Sequence, residues 1–403
     1  MKHVLVLNQY ALPRSQAGGT RHIDLFSRVE GWRPLIVAAG RNHYSQETFS
    51  SSDARFQLVR VPAYDGNGAL RILGWFAYSL QAVAIGLTRR HVDVVYASSP
   101  HLLTPVAGWL VAKLRRASLV LEVRDLWPES IVAAGAIRRG SVLHRVLTAL
   151  EARIAARAEH ITVVTDGWED HFAALGVPAT AMTVIPNGTE LSDFAVSMDR
   201  DELRRRQGID GFTAVYAGAH GAKDGIDYIL DAATSLPDIR FLLVGCGTAK
   251  AGAVDRAGRE GLRNVEFRSP TPKSALPALL AACDVGIHAV TPLAVFEKGM
   301  SPNKLFDYMA AGLPIVSNAR VAIERVTPDG DCGRTGTADG LAACLRAVAA
   351  ATSAERAAWG KRGRCLVDGR FSRHAAAALL SATLNDVGLA DRSRKARLDT
   401  VRV

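Results

Sequence analysis

The stretch Ser301 to Asn318, SPNKLFDYMAAGLPIVSN, combines a cationic side chain with the local structure that binds anions. The proline that precedes Lys304 by two residues suits the first turn of a helix, and Gly312 suits the left-handed residue that ends one. Pro314 ends the helical option, and the apolar pair after it predicts a short buried strand. Because a helix N-terminus has free N–H groups and a partial positive charge, this helix and Lys304 predict a phosphate site.

The same helix carries a carboxylate that suits hydroxyl groups. Asp307 lies one turn after Lys304, where it would accept hydrogen bonds from a sugar or ribose. Leu305, Tyr308 and Met309 fall on one face, which also fits an ordinary amphipathic helix. The interpretation as a site therefore depends on the rest of the chain.

Three further stretches place glycines at the ends of predicted strands. Strand His3–Leu7 leads into a loop with Gly18 and Gly19 before a helix over 21–29. Strand Thr213–Ala217 leads into the loop 218–225, GAHGAKDG, before a helix over 226–235. The third, after a strand over 241–244, is Gly245, Cys246 and Gly247, in which Cys246 is expected to be a small buried side chain. Glycines at such positions let the backbone approach a phosphate or a nucleotide closely.

Short apolar runs alternate with helical stretches along most of the chain. This alternation predicts doubly wound parallel sheets, whose ligands bind beyond the carboxyl ends of the strands. The predicted strands in the first half are 3–7, 35–38, 58–61, 92–97, 119–123, 161–164 and 182–185, and those in the second half are 213–217, 241–244, 265–267, 284–289 and 315–316. Glu122, on the strand itself, is expected to be a paired buried group.

Composition bounds the class of protein. With 403 residues, 48% hydrophobic and 22% charged, the chain should form about two globular domains. The net charge of +10 is scattered and lacks a nucleic-acid motif, so it is compatible with anionic substrates and an anionic membrane surface, and equally with a genome composition that favours Arg and Ala. Five cysteines without metal-ligand spacing indicate free thiols in a reducing compartment, and a strand at the N-terminus predicts no signal peptide.

The motifs together resemble those of a known family. Residues 302–310, PNKLFDYMA, followed by Gly-Leu-Pro, are similar to the donor-binding helix of the family 4 retaining glycosyltransferases. Residues 125–130, DLWPES, and 185–188, IPNG, occur at corresponding places, and the resemblance runs from Gly18 to about Arg373. Within this family the chain most resembles the branch that transfers amino-deoxy sugars in cell-envelope polysaccharide synthesis.

The resemblance implies a GT-B fold, with two doubly wound Rossmann-like domains facing across a cleft. The expected domains are an acceptor-side domain over 1–190, a nucleotide-sugar-binding domain over 191–372, a helix over 373–390 that returns to the first domain, and a basic tail over 391–403. Transfer in this family retains the anomeric configuration and needs no metal or other cofactor, because the protein itself stabilises the leaving diphosphate. The chain also lacks an Asp-x-Asp metal motif near its glycine loops.

The resemblance also implies the residues of the site, position by position. The expected catalytic positions are Arg124, Asp125, Lys223 and Lys304. The expected donor-binding positions are Gly18, Gly19, Gly218, His220, Gly245, Gly247, Glu297, Gly299, Met300 and Asp307.

Four positions depart from the family pattern. Arg124 replaces a histidine, which suggests a cation near the donor phosphates or the acceptor. Ala219 and Asp224 replace the arginine and lysine of the diphosphate loop, so Lys223 and Lys304 are expected to supply the charge. Gly299 replaces the first of two glutamates, and Glu297, Lys298 or the backbone of Gly299 and Met300 are the alternatives.

The predicted partners are a nucleotide sugar and an acceptor saccharide or lipid-linked saccharide. The apolar helix expected over 70–87, with arginines after it, predicts a peripheral membrane contact at the inner face of the plasma membrane of a cytoplasmic protein. Alternatives are a natural-product glycosyltransferase, a non-catalytic nucleotide-sugar-binding subunit and a sugar-nucleotide epimerase.

Overall fold

The computed structural model describes residues 1–16, 18–43, 45–64, 66, 68–133 and 135–400, with side chains to residue 389. It divides into two compact units. Unit 1 contains Met1–Pro186 together with the chain from Ala376 onward, and unit 2 contains Asn187–Ala375. The sequence predicts this domain boundary between residues 190 and 191.

Unit 1 is built on a seven-stranded sheet in which every pairing is parallel. Its order is β3-β2-β1-β4-β5-β6-β7, so the chain reverses direction of travel across the sheet between β1 and β4. The strands are β1 Lys2–Leu7, β2 Trp32–Ala39, β3 Phe56–Val59, β4 Val94–Ser98, β5 Ser118–Val123, β6 His160–Val163 and β7 Met182–Val184.

Unit 2 repeats this pattern with six parallel strands in the order β10-β9-β8-β11-β12-β13. The reversal lies between β8 and β11. The strands are β8 Thr213–Ala217, β9 Arg240–Val244, β10 Val265–Arg268, β11 Val285–His288, β12 Ile315–Ser317 and β13 Gly333–Thr335. The predicted doubly wound α/β class is confirmed in both units.

Helices cover the faces of both sheets. In unit 1 they are α1 Arg21–Phe26, α2 Ala69–Thr88, α3 Leu103–Arg115, α4 Glu129–Ala133, α5 Val142–Ala155 and α6 Glu169–Ala174. In unit 2 they are α7 Arg200–Gln207, α8 Ile226–Ser235, α9 Lys250–Arg259, α10 Leu276–Ala281, α11 Ala294–Glu297, α12 Asn303–Ala310, α13 Arg320–Ile323, α14 Leu341–Ala350 and α15 Ser353–Leu366. The last helix, α16 Arg373–Thr400, joins the core of unit 1 through Ala376, Ala377, Leu380, Leu384 and Val387.

Several predicted elements need correction. The first helix ends at Phe26 instead of residue 29, and α16 is far longer than the predicted Ala-rich segment over 375–384. Helix α15 was not predicted, although Thr352 and Glu355 form a capping box at its start. Side chains of the basic tail predicted over 391–403 lie outside the described residues.

Close approach between helix and sheet in unit 2 depends on a glycine in β11. A Cβ atom at Gly286 would lie 2.4 Å from the ring of Tyr308 on α12, which is fully buried. The hydroxyl oxygen of Tyr308 accepts a hydrogen bond from the N–H of Ala217 at the end of β8 (2.8 Å). Helix α12 is thus held directly against the two central strands of the sheet.

Gly286→Ala should therefore destabilise unit 2 by about 1–3 kcal/mol, because the added methyl group overlaps a ring that cannot move within a packed core. Urea denaturation would measure the loss. The matched control is Gly252→Ala in α9, where an added Cβ meets nothing within 4 Å and replacing a helical glycine should stabilise by about 0.5–1 kcal/mol. Equal effects of the two changes would contradict this account of the packing.

Candidate functional site

The carboxyl ends of β8 and β11 form the switch point of unit 2, the place where doubly wound sheets bind ligands. The loop 218–225 leaves β8 there and enters α8. Within this loop, the N–H of Gly218 donates to the carbonyl of Val244 (3.0 Å), and the N–H of His220 donates to the carbonyl of Cys246 (2.8 Å). Two glycine loops predicted separately from the sequence are therefore paired side by side.

Glycine is required at this pairing because the backbones touch. A Cβ at Gly245 would lie 1.9 Å from the carbonyl oxygen of Gly218, and one at Gly247 would lie 2.4 Å from that of His220. Both glycines also have positive φ, +152° and +156°. Cys246 between them is exposed, so the expectation of a buried side chain is wrong.

Lys304 projects from the first turn of α12 to this loop. Its Nζ lies 4.0 Å from the centre of the Tyr216 ring, donates to the Tyr216 hydroxyl oxygen, and is 3.5 Å from Oδ1 of Asp224. A Cβ at Gly218 would come within 2.9 Å of Lys304 Cε, so the glycine provides the space for the lysine chain. The lysine side chain is only 14% exposed.

Burial changes the acid–base properties of this lysine. It lowers the pKa of Lys304 to about 8, the nearby Asp224 carboxylate opposes the shift, and Lys223 adds to it. Lys223 itself is exposed, and its carbonyl accepts from the N–H of Thr291 (3.0 Å). Lys304 is therefore a partly buried cation whose charge a bound anion would reinforce.

His220 is the other polar side chain buried in the loop. Burial, followed by the charges of Lys250 and Lys304, lowers its pKa to about 4, so the imidazole is neutral near pH 7. Lys250 is a supporting residue that the sequence analysis did not identify. Its ammonium donates to the carbonyls of Gly245 and Arg268, both at 2.7 Å, and so holds the second glycine loop in place.

The remaining predicted donor-binding positions in unit 2 lie between Glu297, the last residue of α11, and Asp307 on α12. Gly299 has φ +108°, a conformation that a glutamate would adopt only with strain. Glu297 is exposed, whereas Met300 packs against the core of unit 2. Asp307 is buried, and burial raises its pKa.

Unit 1 places a buried ion cluster at the corresponding edge of its own sheet. Glu122 on β5 accepts from Nε of Arg21 (2.9 Å) and contacts Nε2 of His22 (2.7 Å), as expected of a paired buried group. Arg21 also donates to the carbonyls of Ile185 and Pro186 (2.7 and 2.8 Å). The cluster holds the first turn of α1, which follows the loop that contains Gly18 and Gly19, against β5.

Arg124 and Asp125 follow β5 directly and begin the loop that carries Trp127. Arg124 is half-buried with its N–H 3.4 Å from the Ser99 hydroxyl, and Asp125 is exposed. The Trp127 ring lies 5.8 Å from that of Trp75 on α2.

Trp75 belongs to an aromatic cluster that sequence patterns did not reveal, because its members come from separate elements. The Trp75 ring stacks on His101 at 4.9 Å, and its Nε1 donates to the Tyr10 hydroxyl (2.8 Å). The guanidinium carbon of Arg71 lies 5.7 Å from the centre of the same ring. The ring of His43 lies 4.8 Å from that of Tyr10, and burial, with the charges of Arg124 and Arg71, lowers the pKa of His43 to about 4.

Fold and site together define the class of the protein. Two doubly wound α/β units, each built on a parallel sheet, form the architecture of GT-B glycosyltransferases. Residues 28–188 match the glycosyl transferase 4-like domain family, and residues 211–353 match the glycosyl transferases group 1 family. The chain is thus built from two glycosyltransferase-family domains.

Known proteins agree with this class. The chain is 27% identical over 281 residues to the "Putative colanic acid biosynthesis glycosyl transferase WcaI" of Escherichia coli (strain K12), which covers 68% of this chain and 67% of that protein. Sucrose-phosphate synthase from Thermosynechococcus elongatus superposes with a TM-score of 0.77 at 16% identity, over 97% of this chain and 100% of that one. Anabaena Alr3699/HepE in complex with UDP and glucose superposes at 0.71 and 19% identity, over 96% and 100% of the two chains.

The shifted pKa predicts how pH affects anion binding at Lys304. Inorganic pyrophosphate should bind more weakly as pH rises through about 8, because the ammonium loses its proton there, by at most about tenfold per pH unit. The lysine faces Tyr216, Asp224, Lys223 and His220. Burial raises the pKa of Tyr216 and lowers that of His220, so both pKa values lie away from pH 8.

Isothermal titration calorimetry across this pH range would measure the effect. Lys304→Met is the control, since its remaining pH dependence reports the titration of pyrophosphate itself. The same pH profile in both proteins would show that Lys304 does not bind the anion.

Proposed function

We propose that this protein is a retaining, metal-independent glycosyltransferase that moves a sugar from a nucleotide-diphosphate donor to an acceptor hydroxyl in cell-envelope polysaccharide synthesis. The observation that carries the proposal is the buried Lys304 ammonium beside the glycine loops at the switch point of unit 2. The colanic acid relative and the UDP- and glucose-bound structure support the pathway type and the donor class.

In this mechanism unit 2 binds the donor. The bond between the anomeric carbon and the diphosphate breaks while the acceptor oxygen bonds to that carbon on the same face, and the proton of the acceptor hydroxyl passes to the leaving phosphate. Lys304, assisted by Lys223, the N–H groups of the glycine loops and the N-terminus of α12, stabilises the charge that develops on the diphosphate. The neutral His220 fills the loop without adding a charge of its own.

Unit 1 supplies the acceptor side. Arg124 and Asp125 begin the loop after β5, and the half-buried rings of Tyr10, Trp75 and Trp127 offer flat apolar surfaces near arginine side chains. Such surfaces suit the apolar faces of a saccharide, and arginines suit a phosphate attached to it. A saccharide or lipid-linked saccharide therefore fits this edge of the sheet.

The donor site can be tested by thermal shift with UDP, GDP, dTDP and ADP. One nucleotide should raise the melting temperature of the wild type and have little effect on Lys304→Ala, because the variant loses the cation that holds the diphosphate. The control is Lys361→Ala, which removes an exposed lysine of α15 and should respond as the wild type does.

Turnover separates the proposed function from its alternatives. Incubation with the matching nucleotide sugar and a mixture of acceptors should give a product of retained anomeric configuration by NMR. Conversion of the donor without an acceptor would indicate an epimerase, and binding without turnover a non-catalytic subunit. Either result would overturn the proposal.

Helix α2 suggests where the acceptor is met. Gly74, Tyr78, Ala82 and Gly86 are buried against unit 1, whereas the opposite face exposes Leu70, Leu73, Phe76, Leu80 and Leu87. By length and composition it is long and apolar enough to cross a membrane, but its buried face belongs to the fold of unit 1. We therefore propose that this face lies in the surface of the membrane, with Arg89 and Arg90 next to its end.

The double variant Phe76→Ser/Leu80→Ser should bind anionic liposomes at least roughly tenfold more weakly than the wild type, since two large side chains of the apolar face are lost. These residues are 51% and 71% exposed, so folding should be unaffected. The control is Leu114→Ser, which changes a 56% exposed leucine on α3. If the wild type does not bind such liposomes at low salt, a soluble acceptor, as in natural-product tailoring, replaces the lipid-linked one.

A further inference from the structure

Asp224 makes the contacts expected of a phosphate oxygen. Its Oδ1 lies 3.5 Å from Nζ of Lys304, and its Oδ2 accepts a hydrogen bond from the N–H of Gly221 at 3.0 Å. A lysine ammonium and a glycine-loop N–H are the groups that bind phosphates at such loops. The carboxylate is 17% exposed, so it is largely enclosed within the loop.

We propose that the Asp224 carboxylate occupies the phosphate position of the donor site in the ligand-free protein, and that the diphosphate displaces it on binding. This inference rests on the proposed function and adds an internal competitor to the same site. Asp224 stabilises the buried Lys304 ammonium when no ligand is present, because an unpaired buried charge would be costly. It also opposes every anion that approaches.

The backbone around Asp224 restricts the displacement to its side chain. The carbonyls of Ala222 and Lys223 accept hydrogen bonds from the hydroxyl and N–H of Thr291 (2.8 and 3.0 Å). On the other side, Gly225 has φ +64°, and a Cβ there would lie 2.6 Å from the backbone nitrogen of Val290. The loop is thus fixed before and after Asp224, and rotation about its Cα–Cβ bond is the movement that frees Lys304.

Such a competitor would act mainly after transfer. The nucleoside diphosphate product stays bound through its negative charge. When the Asp224 carboxylate returns to Lys304, it competes with the diphosphate and speeds product dissociation. Asp224 therefore acts as a positioning residue that weakens product binding, and it takes no part in bond making.

The test is calorimetric titration of Asp224→Asn, at about pH 6 so that Lys304 stays protonated without the carboxylate, with the nucleoside diphosphate that stabilises the wild type and with inorganic pyrophosphate. The asparagine keeps the shape and an acceptor for the Gly221 N–H but removes the charge. Both ligands should bind roughly tenfold more tightly, the ratio expected from about 1.4 kcal/mol of lost competition. Product dissociation should slow by a similar factor in stopped-flow measurements.

Asp227→Asn is the matched control. It makes the same change in net charge on neighbouring α8, but its carboxylate is 79% exposed and pairs with Arg256. The affinity of this variant for both ligands should stay within about twofold of the wild type, because solvent and salt screen an exposed charge. Asp224→Ser provides a second variant if the asparagine disturbs the loop.

The two ligands separate failure of this inference from failure of the proposed function. Unchanged or weaker binding of both ligands to Asp224→Asn and Asp224→Ser would overturn the displacement, whatever the wild type binds. The variants could instead bind pyrophosphate more tightly although neither they nor the wild type bind a nucleoside diphosphate. That result would support the displacement and overturn the proposal that the donor is a nucleotide sugar.

Discussion

A single buried cation sets the requirements for much of unit 2. The Lys304 ammonium needs space and polar partners, which the end of β8 and the loop 218–225 supply. Gly218 leaves space for its chain, Tyr216 at the end of β8 presents a ring and a hydroxyl, and Asp224 supplies a counter-charge. Because desolvating an ammonium is costly, the loss of any one of these partners would leave the buried charge less stabilised.

The position of that cation depends on packing one turn further along α12. Tyr308 sits against Gly286 and accepts the N–H of Ala217, so the helix cannot slide along the sheet without losing a buried hydrogen bond. Tyr308 thereby fixes the position of Lys304 relative to the carboxyl ends of the strands. Stability of the core and geometry of the site are set by the same contact.

The two units share strand order but use their switch edges differently. Unit 2 presents glycine backbone and one lysine, which suits a diphosphate of fixed geometry. Unit 1 buries its own charges, since Glu122 is satisfied by Arg21 and His22, and presents half-buried aromatic rings and arginines instead. A site for an anion and a surface for a larger amphipathic molecule are therefore both compatible with one architecture.

From the sequence alone, most strands and the glycine loop 218–225 could be predicted, whereas helix α15 and the length of α16 could not. The β-branched runs, the glycines after them and Lys304 after a proline are local signals, because strand, turn and helix propensities act over a few residues. Tertiary structure alone decided the partners. The pairing of Lys304 with Asp224, the support from Lys250, the exposure of Cys246 and the aromatic cluster around Trp75 join residues that are distant in the chain. A sheet brings such residues together through its strand order, and no local pattern encodes which side chains will then meet.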